Sequence, residues 1–144
     1  MGRLKFEHEG RVIYEWEQTL DEVNIYIQAP PDIQSNLLNI KISHNHLIIG
    51  TRNNDTSFID EDTFSTVKVN ESTWTLSDGE ICISLQKMSR GEAWTTALLG
   101  RDKINNTDIH TKEEIKKQLM KERFQEEVCW CMLYIGNSIL YSNT

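Results

Sequence analysis

Apolar and polar residues alternate one for one through most of the first hundred positions. In "YEWEQTL", Tyr14, Trp16, Gln18 and Leu20 fall on one side, and Glu15, Glu17 and Thr19 on the other. In "EVNIYIQAP", Val23, Ile25 and Ile27 oppose Asn24, Tyr26 and Gln28. A period of two is the mark of a strand with one buried face. Pro30-Pro31 closes the second run, because proline has no N–H to give a ladder. "LLNIKIS" puts Leu38, Ile40 and Ile42 on one face, and "SHNHLIIGT" turns at His44-Asn45 and returns through Leu47 and Ile49. "RNNDTSFIDED" is polar and acidic without a core pattern, and reads as a loop or crossing. "TFSTVKV" resumes the strand pattern with Phe64 and Val67. In "STWTLSDGEICISLQK" two runs flank Asp78-Gly79, a pair suited to the positive φ angles of a tight hairpin turn. A last short strand, "AWTTALL", carries Trp94. Seven or eight such strands with no helix among them predict an all-β, antiparallel β-sandwich.

Past Gly100 the pattern changes. "TKEEIKKQLMKERFQEE" is rich in helix formers, and Thr111 with Glu114 makes a capping box that starts a helix. Glu113 and Lys117 add a helical ion pair. Ile115, Leu119, Met120 and Phe124 make no single stripe, which predicts a helix packed loosely or shared with a partner. The closing "VCWCMLYIGNSILYSNT" is apolar and reads as a strand or as a helical turn covering an exposed face. The predicted organisation is a flexible arm over 1–13, a sandwich over 14–100, and a C-terminal α-helix with an apolar tail over 101–144.

Charge sharpens this picture. The chain of 144 residues carries a net charge of −7. Residues 1–100 hold 8 basic and 15 acidic side chains, and residues 101–144 hold 7 of each, so the whole excess lies on the sandwich. An acidic body repels phosphate backbones, which argues against nucleic acid as partner. The N-terminus lacks the apolar run of a signal peptide, no stretch of 18 apolar residues spans a membrane, and Lys5-Phe6 stands where a myristoylation motif needs Ser or Thr. Three cysteines, Cys82 alone and Cys129 with Cys131, make no disulfide framework and fit a reducing compartment. There the sequons at Asn54, Asn70 and Asn105 meet no glycosylation machinery. A soluble, cytoplasmic protein without a membrane partner is expected.

The search for reactive groups returns little. His44 and His46, with Cys129 and Cys131, could in number furnish a zinc site, but His44-Asn45-His46 occupies a turn, where asparagine is at home. His8 and His110 are the remaining histidines. Cys82 lies within a strand between Ile81 and Ile83, the place of a small packed residue rather than a nucleophile. Glu15/Glu17 and Glu61/Asp62 are acidic pairs on strand faces without a neighbour to raise a pKa. Gly50, Gly79, Gly91 and Gly100 are scattered singly and form no phosphate loop. No catalytic residue, metal or cofactor is expected, and the chain is read as no enzyme. Aromatic residues remain. Tyr14, Trp16, Trp74 and Trp94 lie on separate strands; each fits a sandwich core, while one or two at a face or edge would suit protein binding, with Lys68 and Lys87 as a charged rim.

"YEWEQTLDEVNIYIQAPP" resembles the opening Tyr-x-Trp-x-Gln-Thr of the CS domain in the nuclear distribution (NudC, nuclear movement) family. "VNESTWTLSDGEICISLQK" resembles that family's Ser-Thr-Trp-x-Leu hairpin ending in Leu-x-Lys, Trp94 matches its late tryptophan, and "LMKERFQEE" is similar to the short helix after the domain in small NudC-domain members. The resemblance runs from Tyr14 to about Glu127. It implies a sandwich like that of the co-chaperones of the ninety-kilodalton heat-shock chaperone, which is itself a partner the resemblance suggests. It also implies a non-enzymatic, ATP-independent chaperone that binds client proteins, WD-repeat propellers of the dynein pathway above all, and so supports nuclear migration. A passive adaptor of that pathway is the alternative. Tyr14, Trp16, Gln18, Trp74, Lys87 and Trp94 are the positions that match the family motif, and with Lys68 they are the candidate partner-binding residues. Because a long apolar segment seeks cover, the tail predicts self-association.

Overall fold

The computed structural model describes residues 2–8, 10–52, 57–99 and 109–142, with backbone alone for His8, Ile109 and 127–142. Nine strands and one long helix are described: β1 (Leu4–His8), β2 (Arg11–Gln18), β3 (Glu22–Gln28), β4 (Leu38–Ile42), β5 (His46–Thr51), β6 (Ser57–Thr63), β7 (Val67–Ser77), β8 (Glu80–Lys87), β9 (Leu98–Leu99) and α1 (Ile109–Ser142). A single 3₁₀ turn at Ser35–Leu37 leads into β4.

Asp78 and Gly79 take φ angles of 51° and 77°. Two successive positive values define the type I′ turn, whose twist matches that of the strands it joins. The β7–β8 register is thereby fixed, with Ser77 opposite Glu80 and Trp74 opposite Ile83. The same period carries across β8 to β3, where Ile81, Ile83 and Leu85 face Ile27, Ile25 and Val23. These six are buried and form the centre of the core. Slipping the register by one residue would turn all of them outward, so burial holds the pairing in place.

All pairings are antiparallel. One sheet runs β1-β2-β3-β8-β7 and the other β4-β5-β6-β9. Leu38, Leu47, Ile49 and Ile59 of the second sheet pack against the first, joined by Trp94, Ala97 and Leu98. The antiparallel β-sandwich expected from the alternation is therefore the fold.

Several elements differ from the sequence expectation. Within the arm expected over 1–13, Leu4–His8 pairs with β2, setting Leu4 opposite Trp16 and Phe6 opposite Tyr14, with the Phe6 and Tyr14 rings stacked 5.0 Å apart. The acidic crossing is strand from Ser57: β6 pairs with β5 and buries Ile59 and Thr63 while Asp60 and Asp62 lie along the other face. Residues 53–56 of that crossing, with the Asn54 sequon, lie outside the described residues, as does Asn105. The last strand shrinks to Leu98–Leu99, and Trp94 sits in the connection before it.

The helix begins at Ile109, so Thr111 falls in its first turn rather than at a cap, a displacement within the usual spread of helix ends. It continues as unbroken helical backbone to Ser142, where a strand or single turn was expected. Among the described residues, no helix is long and apolar enough to cross a membrane. The four apolar positions that formed no single stripe form two. Ile115 and Leu119 are buried in the core cluster, while Met120 and Phe124 are 72% and 66% exposed. The first part of α1 thus belongs to the core rather than packing loosely.

Candidate functional site

The seven residues expected at a binding surface separate into three groups. Tyr14, Trp16 and Trp94 are core residues, each at most 4% exposed. Their aromatic area is spent on packing, and they offer nothing to a partner while the sandwich is closed. Among the described residues, the Trp94 indole N–H is buried without a hydrogen-bond partner, and burial pushes the Tyr14 pKa up to about 12, partly countered by hydrogen bonding with Thr96 and the Leu98 backbone. Trp94 tilts against Phe64, ring centres 5.8 Å apart.

Lys87, Gln18 and the Trp94 backbone form a second group. Lys87 continues the inward face of β8 after Ile81, Ile83 and Leu85, and is only 2% exposed. Its ammonium donates to Gln18 Oε1 at 2.9 Å, to the Thr19 carbonyl at 2.7 Å and to the Glu92 carbonyl at 2.8 Å. Three donors thus meet three acceptors, which is how a buried ammonium is made tolerable. Gln18 links the network onward: its Nε2 donates to the Trp94 carbonyl at 2.7 Å and its Oε1 accepts from the Trp94 N–H at 3.1 Å. The effect is to fasten the connection after β8 to the turn after β2. Burial pushes the Lys87 pKa down to about 8, partly countered by Glu122, Glu92 and Asp21. Lys87 is therefore a staple of the core and not the charged rim that its sequence position suggested.

Trp74 and Lys68 make the third group, both on β7. β7 is an edge strand of its sheet and β4 an edge strand of the other, and the two lie together on one side of the sandwich. Trp74 and Leu76 of β7, with Ile40 and Ile42 of β4, are only partly buried against the core. A hollow of about 480 Å³ at the end of this edge is lined by Ala29, Pro30, Pro31, Ile33 and Leu76. Near the start of β7, pairing with β8 shifts register between Lys68 and Thr73. Ser72 bridges the shift, its hydroxyl donating to the Lys68 carbonyl and accepting from the Gln86 N–H. Such irregularity blunts the first half of the edge. The second half, Thr73–Ser77, is regular. Lys68 is exposed, with its Nζ 3.6 Å from Glu71.

The polar groups singled out for chemistry are engaged elsewhere. His46 stands between two carboxylates of β6, Nδ1 at 2.6 Å from Asp62 and Nε2 at 2.5 Å from Asp60. Hydrogen bonds to Asp60 and then Asp62 raise its pKa, so the carboxylates favour the protonated ring and occupy both of its nitrogens. The side chains of Cys129 and Cys131 lie outside the described residues. Cys82 is half-buried on the outer face opposite Tyr26, where burial pushes its thiol pKa up and away from nucleophilic use. Glu15 meets Arg3 at 3.4 Å, and Glu17 accepts from the Tyr26 hydroxyl at 2.5 Å.

By architecture the chain is an antiparallel sandwich with an appended helix, and residues 12–87 match the CS domain. It belongs to the CS-domain family. Among its relatives, nuclear movement protein nudC of Dictyostelium discoideum is 31% identical over 97 residues, covering 67% of this chain and 57% of that protein. NudC domain-containing protein 2 of Homo sapiens is 26% identical over 116 residues, 78% of this chain and 71% of that protein. Among solved structures, the nuclear movement protein from E. cuniculi GB-M1 shares the fold, with a TM-score of 0.51 at 22% identity over 60% of this chain and 99% of that one. The resemblance to the NudC family is borne out by these relatives, none of whose names carries a reaction. The chain spans little more than half the length of the Dictyostelium relative.

Proposed function

We propose that the chain is an ATP-independent chaperone or co-chaperone module that holds client proteins at the open β4–β7 edge. The observation that carries this reading is the juxtaposition of two sheet edges, free among the described residues, with four half-buried apolar side chains, Trp74, Leu76, Ile40 and Ile42. A regular edge offers unpaired backbone groups, and the alternate inward positions offer apolar contacts; together they recognise strand-like or partly unfolded chain. Trp74 supplies the large aromatic anchor typical of such contacts, and Lys68 a cation at the rim. Relatives called nuclear movement proteins support a role in nuclear migration. In that setting the clients are WD-repeat propellers, the site of action is the cytoplasm, and the ninety-kilodalton heat-shock chaperone is a further partner. The module binds and releases; it carries out no covalent chemistry.

Light scattering of a WD-repeat protein heated with and without the chain, in the absence of nucleotide, tests the reading. Suppression of aggregation by the native chain, lost in Trp74→Ala, is the expected result. Binding to the native propeller without suppression would establish the adaptor alternative instead, and suppression unchanged in Trp74→Ala would remove the edge from the account.

A further inference from the structure

The other side of the sandwich is covered by the chain's own helix, and the manner of its seating is informative. Of the described residues of α1, only Ile115 and Leu119 are buried. They sit four apart beside Leu4 and Trp16, and a partly open hollow of about 270 Å³ remains between the helix and the sandwich, lined also by Gln18, Thr19, Gln118 and Glu122. α1 thus leaves part of the seat unfilled. Polar contacts continue the seam past the apolar pair. The Arg123 guanidinium lies on Gly91, where a Cβ would overlap it. Arg90 bridges Glu126 at 2.5 Å and Asp21 at 2.7 Å, with all three side chains about half exposed. Ion pairs so exposed hold little. Glu122 of the helix acts on the buried Lys87 ammonium across the seam. The sandwich thus presents an apolar seat followed by two cations, Lys87 and Arg90. α1 answers with two aliphatic residues followed by two carboxylates, Glu122 and Glu126.

We propose that this seat is a binding site for an amphipathic helix of a partner protein, which α1 occupies as a tethered competitor. The ligand chemistry follows from the way α1 is held. It is a helix with large aliphatic residues four apart and acidic residues one and two turns further on. A bulkier apolar residue at the position of Gln118 would reach the volume that α1 leaves unfilled. A tethered helix competes at an effective concentration on the order of millimolar, so a partner must fit better than α1 does; the hollow between helix and sandwich provides for that. This site is separate from the β4–β7 edge and does not depend on the chaperone reading, since its ligand is a folded helix.

The probe is a fluorescent peptide of this chain's own residues 109–126, titrated with full-length protein and followed by anisotropy. Full-length Ile115→Asp/Leu119→Asp, whose helix cannot seat, should bind it at least tenfold more tightly than the native chain. A peptide carrying Gln118→Leu should bind that variant about tenfold better again, and a peptide carrying Leu119→Asp should not bind. Should the double variant unfold, full-length Arg123→Ala, altered only at an exposed position, serves instead and should raise peptide affinity severalfold. Equal binding to native and helix-released chains would overturn the proposal. So would failure of the peptide to bind any helix-released variant, or binding by the Leu119→Asp peptide as tight as that of its parent.

Discussion

Lys87 gives the sharpest test of the energetics. Replacing it with methionine keeps the length of the side chain and removes the ammonium. At neutral pH two effects oppose each other. The Thr19 and Glu92 carbonyls lose their donor, at about 1–3 kcal/mol for each acceptor left unpaired, while Gln18 Oε1 keeps the Trp94 N–H. Against this, the variant no longer buries a charge. The fall of the Lys87 pKa from 10.5 to about 8 corresponds to a burial penalty of about 3 kcal/mol. The variant should accordingly lie within about 3 kcal/mol of the native protein at pH 7. The pH dependence is more decisive. Because the folded pKa lies below the unfolded one, the unfolded chain binds more protons between pH 8 and 10.5, and the native protein gains stability as pH rises through that window. Below pH 8 both states hold the proton, and above 10.5 neither does. Methionine abolishes this gain, so the stability gap between native and variant should widen by about 3 kcal/mol from pH 7.5 to 10.5. Tyr14 and Tyr26, both raised to about 12, pull stability down above pH 10, but in both proteins alike. Urea unfolding followed by tryptophan fluorescence, at half-unit steps of pH and with equal m values, reads the gap. A gap constant to within 1 kcal/mol across the window would refute the reasoning, and would mean that the three acceptors offset the burial penalty completely.

Three further outcomes are expected. Trp94→Ala, in the core, should cost about 3–5 kcal/mol, whereas Trp74→Ala, at the edge, should cost clearly less while abolishing suppression of client aggregation; a reversed order in thermal denaturation would contradict the assignment of core and edge. His46 has a folded pKa raised above 6.5 by Asp60 and Asp62, so its stabilising contribution is complete below pH 6.5 and is lost as pH rises through the folded value. The stability difference between the native chain and His46→Gln should therefore shrink with rising pH, and a difference that grew would exclude the imidazolium clamp. Gly79→Ala forces a Cβ into a φ of +77° and should cost about 1 kcal/mol, seen as a lower urea midpoint with an unchanged slope.

The alternation of residues carried most of the sandwich and was least informative where charge masks it. In β2, β3, β5 and β8 the buried face is nearly pure apolar, so the period can be read directly. β6 buries Ile59 and Thr63 but shows Asp60 and Asp62 on the opposite face, where they clamp His46; a strand whose outer face is acidic looks like a loop when its partner strand is unknown. β1 alternates Leu4 and Phe6 with Lys5 and Glu7, yet five residues among mixed charges are too few to distinguish from an arm. Trp94 lies in a connection whose burial depends on Gln18 and Lys87, residues far from it in sequence. Lys87 was the most misleading position at the site. A lysine ending a strand looks like a solvated rim, and only three acceptors brought together from two distant turns make its burial possible.

Those acceptors also explain why the two open sides of the sandwich differ. The network of Lys87, Gln18 and Trp94 ties down the connection that contains Arg90 and Gly91, and these two residues receive Glu126 and Arg123 of α1. The buried lysine shares this task with backbone bonds such as that from the Gly91 N–H to the Leu20 carbonyl, so the staple inside the core helps set the geometry of the helix seat outside it. No comparable device covers the β4–β7 side, where Trp74, Leu76, Ile40 and Ile42 stay half-exposed among the described residues. A small sandwich has four edge strands to manage, and this chain fastens a helix across one side while leaving the other uncovered among the described residues. Perturbing Lys87 should therefore weaken the hold on α1, and with it the competition at the seat, while the β4–β7 edge remains as it is.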